Sequence, residues 1–190
     1  ELTSGVPNEF FIPKIYEALH NFIRRYRKII FLGENNHLRQ LLQNVILHCN
    51  ATDSFTYIRA TTLLFNIFQL NQRTSGNFSR ARIQTVTTLS DLVASRKVKE
   101  DRMLNHSFRR LVYYAIHSYA QNDYSVILGK SYSTDEASEI LAEFTRNIQD
   151  IVLTLASILR DTLRVAQLPD KGEPHMKMDL FLQIAEGYKN

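Results

Sequence analysis

The distribution of proline constrains this chain more than any other feature. Proline occurs only at positions 7, 13, 169 and 174, so residues 14–168 contain none. Proline removes a backbone donor and disrupts helix interiors, and glycine weakens them, so both residues collect at helix ends. Within the proline-free run the glycines stand far apart, at positions 33, 76 and 129. This wide spacing of proline and glycine is typical of long helices, and we expect an all-α fold.

Apolar residues at helical spacing predict about seven helices. Their approximate ranges are 8–32, 37–49, 54–72, 78–95, 103–121 and 133–168, with a last helix from about residue 175. The third is apolar almost all round and should lie at the centre of the fold. The sixth carries an apolar seam from Leu141 to Val165, and Ser133 and Glu136 have the spacing of a capping box at its start.

The fourth predicted helix has a narrower stripe, formed by Ile83, Val86, Leu89, Leu92 and Val93, and should lie nearer the surface. Gly33 and Gly76 each follow a helix pair of similar size, and their separation of 43 residues matches the period of HEAT or armadillo repeats. Long helices with short connections favour an antiparallel, HEAT/armadillo-like helical stack.

Composition indicates an ordinary globular chain, with 44% hydrophobic and 22% charged residues. The lone cysteine, Cys49, cannot form an internal disulfide, and no stretch resembles a secretory leader or a membrane span. We therefore expect a cytoplasmic protein, which could still be recruited to a membrane surface. Charge is uneven: residues 1–110 carry +8 and residues 111–190 carry −4. This asymmetry fits an anionic partner, attraction between two halves of an assembly, or scattered solvated charge.

No familiar catalytic motif occurs in the sequence. Phosphate loops, dinucleotide fingerprints, zinc-protease motifs and nucleophile elbows are all missing, and no two histidines lie three or four residues apart. The nearest approach to a reactive pair is His48 beside Cys49, but adjacent helical residues point in different directions and Cys49 suits a buried position. We expect no catalytic residue, no metal site and no cofactor, and hence no enzymatic activity of this chain.

One dense group of cations stands out near the end of the first predicted helix: Arg24, Arg25, Arg27 and Lys28. Cations there complement the negative end of the helix dipole, which is a sufficient structural reason for them. The alternative is contact with an anionic surface, either lipid or a protein partner. Nucleic acid is not expected, because the nearby aromatics Tyr26 and Phe31 are too few for a stacking platform.

Three stretches carry a resemblance to a known family. They are "LRQLLQNVILHCN" at 38–50, "YIRATTLLFNIFQLNQRTSGNFSRARIQTVTTLSDLVA" at 57–94, and "ILRDTLRVAQLPDKGEPHMKMDLFLQIAEGYKN" at 158–190. The second contains an Arg-Ala followed by an aliphatic-aromatic helix, then an Asn-Phe-x-Arg turn and a Gln-Thr helix. In these stretches the chain resembles the DOCK (dedicator of cytokinesis) proteins, guanine nucleotide exchange factors for Rho-family small GTPases.

The resemblance implies a connective role. In the family, helical repeats lead into a three-lobed exchange region, whose GTPase groove lies in the two later lobes, so no catalytic residue is carried over. We expect residues 1–122 to form a helical-repeat stack and residues 123–190 to lead into the exchange region. Expected partners are the remainder of that region, a Rho-family GTPase through the absent lobes, and another protein or a second copy; membrane contact would be only peripheral.

The last predicted helix should offer Ile184 and Tyr188 as a packing surface for the missing continuation. The competing hypothesis is a free-standing HEAT/armadillo-like adaptor that binds a protein or peptide.

Overall fold

The computed structural model describes residues 8–33, 37–98, 101–120 and 133–167. Within these ranges it contains seven α-helices and no strand, so the expected all-α fold is confirmed. The helices are α1 (Asn8–Arg25), α2 (Arg27–Leu32), α3 (His37–Cys49), α4 (Ser54–Ser75), α5 (Ser79–Ala94), α6 (Arg102–Ala120) and α7 (Thr134–Gln167). The helix expected from about residue 175 lies outside the described residues.

Local capping explains where several helices begin and end. The Asp53 carboxylate accepts a hydrogen bond from the Thr56 amide at 2.8 Å and caps the start of α4. Gly76 ends α4 in the left-handed region, at φ 71°, where glycine carries no Cβ penalty. At the start of α7, the Glu136 carboxylate accepts the Ser133 backbone hydrogen bond that the capping-box spacing predicts, and it also accepts one from the Ser133 hydroxyl.

The first predicted helix is divided in two by a single irregular residue, Tyr26. Tyr26 itself keeps helical hydrogen bonds, because its amide donates to the Phe22 carbonyl and its carbonyl accepts from the Ile30 amide. In an unbroken helix, Arg27 would lie on the same face as the buried Ile23 and Ile30. The irregularity leaves Arg27 exposed while Ile30 remains in the core.

The helices form two layers whose members alternate along the chain. One layer contains α1 with α2, then α4, then α6; the other contains α3, α5 and α7. Within the layers, α4 packs against α1, α2 and α6, and α5 packs between α3 and α7. Across the layers, α3 packs on α4 and α6 packs on α7. This alternation is typical of stacked helical repeats and confirms the expected helical stack.

Two neighbours of the first layer, α4 and α6, run in the same direction. The guanidinium carbon of Arg110 on α6 lies 6.0 Å from the centre of the Tyr57 ring on α4. Further along both helices, the hydroxyls of Tyr114 and Thr62 are 3.4 Å apart. The two helices are therefore parallel. Short loops, residues 50–53 and 76–78, join α3 to α4 and α4 to α5.

One continuous apolar core extends from α1 to α7. Helix α4 is central, as predicted, and buries nine residues, including Leu64, Ile67 and Phe68. An aromatic cluster, defined by Phe65, Phe68, Phe78 and Phe144, joins α4, the start of α5 and α7. The seam of α7 is buried at Leu141, Phe144, Ile148, Ile151 and Leu155, and then passes to Leu159 and Leu163.

The prediction for the fourth helix is wrong in one respect. Ile83, placed there on the buried stripe, exposes 64% of its surface, whereas Thr85 and Thr88 of the same helix are buried. The Thr85 hydroxyl donates to the Ala81 carbonyl at 2.7 Å, so its polar atom is satisfied within the helix. Helix α5 is therefore an interior member of its layer, with small β-branched residues packed toward its neighbours.

Gly33 ends α2 in an extended conformation, not in the left-handed region common at such ends. Its amide donates to the Ile29 carbonyl at 3.2 Å, and an added Cβ would lie 2.4 Å from that oxygen. We expect Gly33→Ala to lower the free energy of unfolding by about 1–3 kcal/mol, measured by urea unfolding, because the backbone must shift to relieve the overlap. Leu32→Ala, at an exposed neighbour, is the control. An equal, small change in both variants would show that the close approach is not needed.

Candidate functional site

The four predicted cations are all exposed, but they do not share one structural setting. Arg24 and Arg25 lie in the last turn of α1, where they complement the helix dipole. Arg27 and Lys28 lie in the first turn of α2, after the irregular Tyr26. A cation gains nothing from the dipole at a helix start, so the dipole explanation covers only Arg24 and Arg25.

These cations surround a surface depression of about 500 Å³, lined by Asn21, Arg24, Arg25, Tyr26, Arg27, Lys28 and Ile29. In the part of the chain that the structure describes, Arg25, Arg27 and Lys28 form no ion pair or hydrogen bond. Partial burial lowers the pKa of His20, and the charge of Arg24 lowers it further. The end of α1 is therefore a region of uncompensated positive charge.

Sequence reasoning missed a second feature of the same helices. Six large apolar side chains on α1, on α2 and at the Tyr26 junction between them each expose between 41% and 61% of their surface. We call them the apolar stripe: Phe11, Ile15, Phe22, Tyr26, Ile29 and Leu32. They recur at steps of three, four and seven residues, which is helical spacing on a face other than the one that holds Ile23 and Ile30. This second periodicity was the signal available in the sequence.

Cys49 and His48 have structural roles. Cys49 is fully buried, and burial raises the pKa of its thiol to about 12, so the thiolate is disfavoured at neutral pH. The Ser107 hydroxyl donates to the Cys49 carbonyl at 2.9 Å, which ties α6 to the end of α3. The His48 ring nitrogen Nδ1 lies 2.7 Å from the Tyr16 hydroxyl. The interpretation of Cys49 as a core residue is confirmed.

A smaller groove of about 290 Å³ lies between α3 and α5, lined by Arg39, Gln43, Thr88, Asp91, Leu92, Ser95 and Lys97. Arg39 and Asp91 form an ion pair there, and the buried Thr88 hydroxyl has no hydrogen-bond partner. Across the described ranges, no group of three His, Cys, Asp or Glu residues could hold a metal ion. Nor, in the same ranges, is any helix long and apolar enough to cross a membrane.

The placement of the cations gives a stability prediction. Replacing Arg24, Arg25, Arg27 and Lys28 together by glutamine should change the free energy of unfolding by about 1 kcal/mol or less, because exposed charges without partners contribute little. Urea unfolding followed by circular dichroism measures this change. A loss of more than about 2 kcal/mol would mean that these cations hold the α1–α2 junction together.

Comparison with curated proteins gives matches along most of the chain. Dedicator of cytokinesis protein 8 of Mus musculus is 22% identical over 179 residues, which is 94% of this chain. The Homo sapiens protein of the same name is 21% identical over the same share. Dedicator of cytokinesis protein 7 of Mus musculus is 25% identical over 88% of the chain. No family model matches the chain, and no solved structure matches it.

The match concerns one segment of much longer proteins. The chain spans only 8% of the length of the curated relatives numbered 8, and 7% of the relative numbered 7. These matches confirm the resemblance carried by the three quoted stretches and extend it to almost the whole chain. Along almost all of its length, the chain is thus similar to one segment of the dedicator of cytokinesis (DOCK) proteins.

Proposed function

We propose that this chain is a helical scaffold segment of a DOCK-type guanine nucleotide exchange factor for Rho-family small GTPases. Its role is to support the exchange lobes and to provide protein–protein contacts, and it is not itself catalytic. The observation that carries the proposal is the match to dedicator of cytokinesis protein 8 over 94% of this chain. The protein would act in the cytoplasm, with any membrane contact peripheral.

The architecture supports a scaffolding role. Helix α7 has 34 residues and is therefore about 50 Å long. It packs on α5 of its own layer and on α6 of the other, so it ties both layers together. Because one apolar core joins it to the rest of the stack, displacing α7 would disturb packing as far away as α4. Such a body can hold attached lobes in a fixed position.

The non-catalytic part of the proposal rests on what exchange requires. An exchange factor must open the switch regions of the GTPase and displace its magnesium ion, and the family resemblance assigns that groove to lobes beyond residue 190. The division into a repeat stack at 1–122 and a leading segment at 123–190 remains a proposal. So does the packing surface at Ile184 and Tyr188, which lies outside the described residues.

We expect the 190-residue chain alone to leave nucleotide release at its uncatalysed rate. The measurement is release of a fluorescent guanine nucleotide from Rac-type and Cdc-type GTPases at micromolar chain. The full-length protein encoded by the same gene is the positive control and should accelerate release from at least one of them. Acceleration by the isolated chain would contradict the non-catalytic assignment.

The groove between α3 and α5 favours a second candidate, a HEAT/armadillo-like adaptor that binds a protein or peptide. It is polar, it is open at the surface of the stack, and it contains the unpartnered Thr88 hydroxyl. A full-length protein that accelerates release from no Rho-family GTPase, yet binds a peptide whose affinity falls on Thr88→Val, would support the adaptor over the exchange factor.

A further inference from the structure

We propose that the apolar stripe on α1 and α2 is the packing surface for one further helix of the same DOCK-type polypeptide. This helix would continue the layer formed by α1, α4 and α6, and it would carry an apolar face flanked by carboxylates. The proposal rests on the proposed function, since it requires that the chain be part of a longer stack. It assigns a surface at the α1 side of the fold, far along the chain from the packing surface expected at Ile184 and Tyr188.

The exposed apolar area of the stripe supports contact with a partner. Each of its six side chains exposes about half of its surface. With roughly 150–200 Å² for each such side chain, the exposed apolar area is on the order of 500 Å². A patch of about this size is among the largest that a folded monomer exposes, and such patches are often contact surfaces.

The stripe is continuous with an interface that already exists. On α1, Tyr16, Leu19 and Ile23 pack into the core, and Ile15 and Phe22 lie directly beside them in sequence on an adjoining face. Within its layer, α4 has neighbours on both sides, α1 with α2 and then α6. Helix α1 has α4 as its layer neighbour and keeps an apolar face that α4 does not cover. A further helix on that face repeats the rule that the rest of the layer follows.

The dimensions of the stripe fit one helix. The ends of the stripe, Phe11 and Leu32, are 21 residues apart, which corresponds to about 32 Å along a helix axis. A partner helix of about six turns would therefore cover the stripe from end to end. The relatives that match this chain are more than ten times as long, so a DOCK-type polypeptide has ample sequence to supply it.

The cations beside the stripe indicate which charged residues the incoming helix should carry. Arg25, Arg27 and Lys28 are exposed and have no acidic partner in the described residues, so Asp or Glu on the flanks of the incoming helix would find unpaired cations. A second copy of this face fits poorly, because it would bring two groups of unpaired cations together. An anionic lipid surface shares the charge complementarity, but it does not continue the helix layer formed by α1, α4 and α6.

Thiol labelling tests the proposal because the native cysteine, Cys49, is fully buried. Phe22→Cys places a thiol in the middle of the stripe, and Ile83→Cys places one at an exposed site on α5. Each variant is made both in the 190-residue chain and in the full-length protein. Labelling with an alkylating reagent is followed for the relevant peptide by mass spectrometry.

We expect the Phe22→Cys thiol to react at least about tenfold more slowly in the full-length protein than in the short chain, while Ile83→Cys reacts at similar rates in both. Adding Arg25→Glu and Arg27→Glu to the full-length Phe22→Cys variant should speed its labelling, because carboxylates would then face carboxylates. Equal rates for Phe22→Cys in both proteins would overturn the proposal. Protection that appears only when vesicles containing phosphatidylserine are added would overturn it in favour of a lipid surface.

The nucleotide-release assay on the full-length protein separates the two claims. Release activity together with an unprotected Phe22→Cys thiol would refute the further helix and leave the exchange-factor assignment in place. A protected thiol in a protein without release activity would support the helix and refute the exchange factor.

Discussion

Replacing Phe144 by alanine is expected to lower the free energy of unfolding by about 3–5 kcal/mol. Phe144 is fully buried on α7. Its ring packs edge-on against Phe65 of α4 and against Phe78, with ring centres 5.9 Å and 5.6 Å apart. Phe78 in turn packs against Phe68 at 5.2 Å. Removing the Phe144 ring therefore opens a cavity where α4, α7 and the start of α5 meet.

Leu153 provides the matched control on the same helix, because it exposes 70% of its surface. Leu153→Ala should change the free energy of unfolding by about 0.5 kcal/mol or less. Urea unfolding of both variants, followed by circular dichroism, measures the difference. If the two substitutions cost the same, Phe144 does not hold the two layers together.

Ile23→Ala is expected to cost about 2–4 kcal/mol, whereas Phe22→Ala in the 190-residue chain should cost less than about 0.5 kcal/mol. The two residues are neighbours on α1, yet Ile23 is fully buried and Phe22 exposes 53% of its surface. The larger aromatic side chain should therefore matter less than the smaller aliphatic one. This ordering follows only if α1 packs on the stack through one face and leaves the apolar stripe open.

The same urea experiment tests this pair. A cost for Phe22→Ala as large as that for Ile23→Ala would show that the stripe is already covered in the short chain, either by the chain itself or by self-association. Sedimentation of the wild-type chain at two concentrations distinguishes those causes.

Sequence periodicity predicted much of the fold because the relevant signals are local. The long seam of α7 contacts α5 and α6 through residues three and four apart, and its predicted positions are buried from Leu141 to Leu155. The start of α7 was equally predictable from the sequence, because a Ser133–Glu136 capping box depends only on residues that are close in sequence. Structural features that depend on residues close together in the chain can therefore be predicted from the sequence.

The break at Tyr26 was not predictable in this way. No proline or glycine marks it, so the sequence offers no local signal for it. With the break, Ile23 and Ile30 both pack in the core while Arg27, which a regular helix would place on their face, stays exposed. Ile83 was misplaced for a similar reason, since the neighbours of α5 accommodate Thr85 and Thr88 on its buried face.

The candidate site was predicted in part. The cations at 24–28 were visible as a dense charge group, but the apolar stripe beside them was hidden, because α1 has two apolar faces and only one of them could be assigned to the core. Which face packs on α4 depends on contacts between distant parts of the chain. The structure resolves this choice and shows that the charge group adjoins the stripe at Tyr26 and Ile29.

The central claim, that this helical stack supports exchange by holding the exchange lobes in place, is tested most directly by nucleotide release with the full-length protein carrying Phe144→Ala. The assay is run at a temperature where hydrogen exchange shows the aromatic cluster of the variant to be open, with Leu153→Ala as control. The scaffold account predicts that Phe144→Ala loses most of its release activity and that Leu153→Ala retains it. Wild-type activity from a Phe144→Ala protein whose stack is demonstrably open would contradict the account.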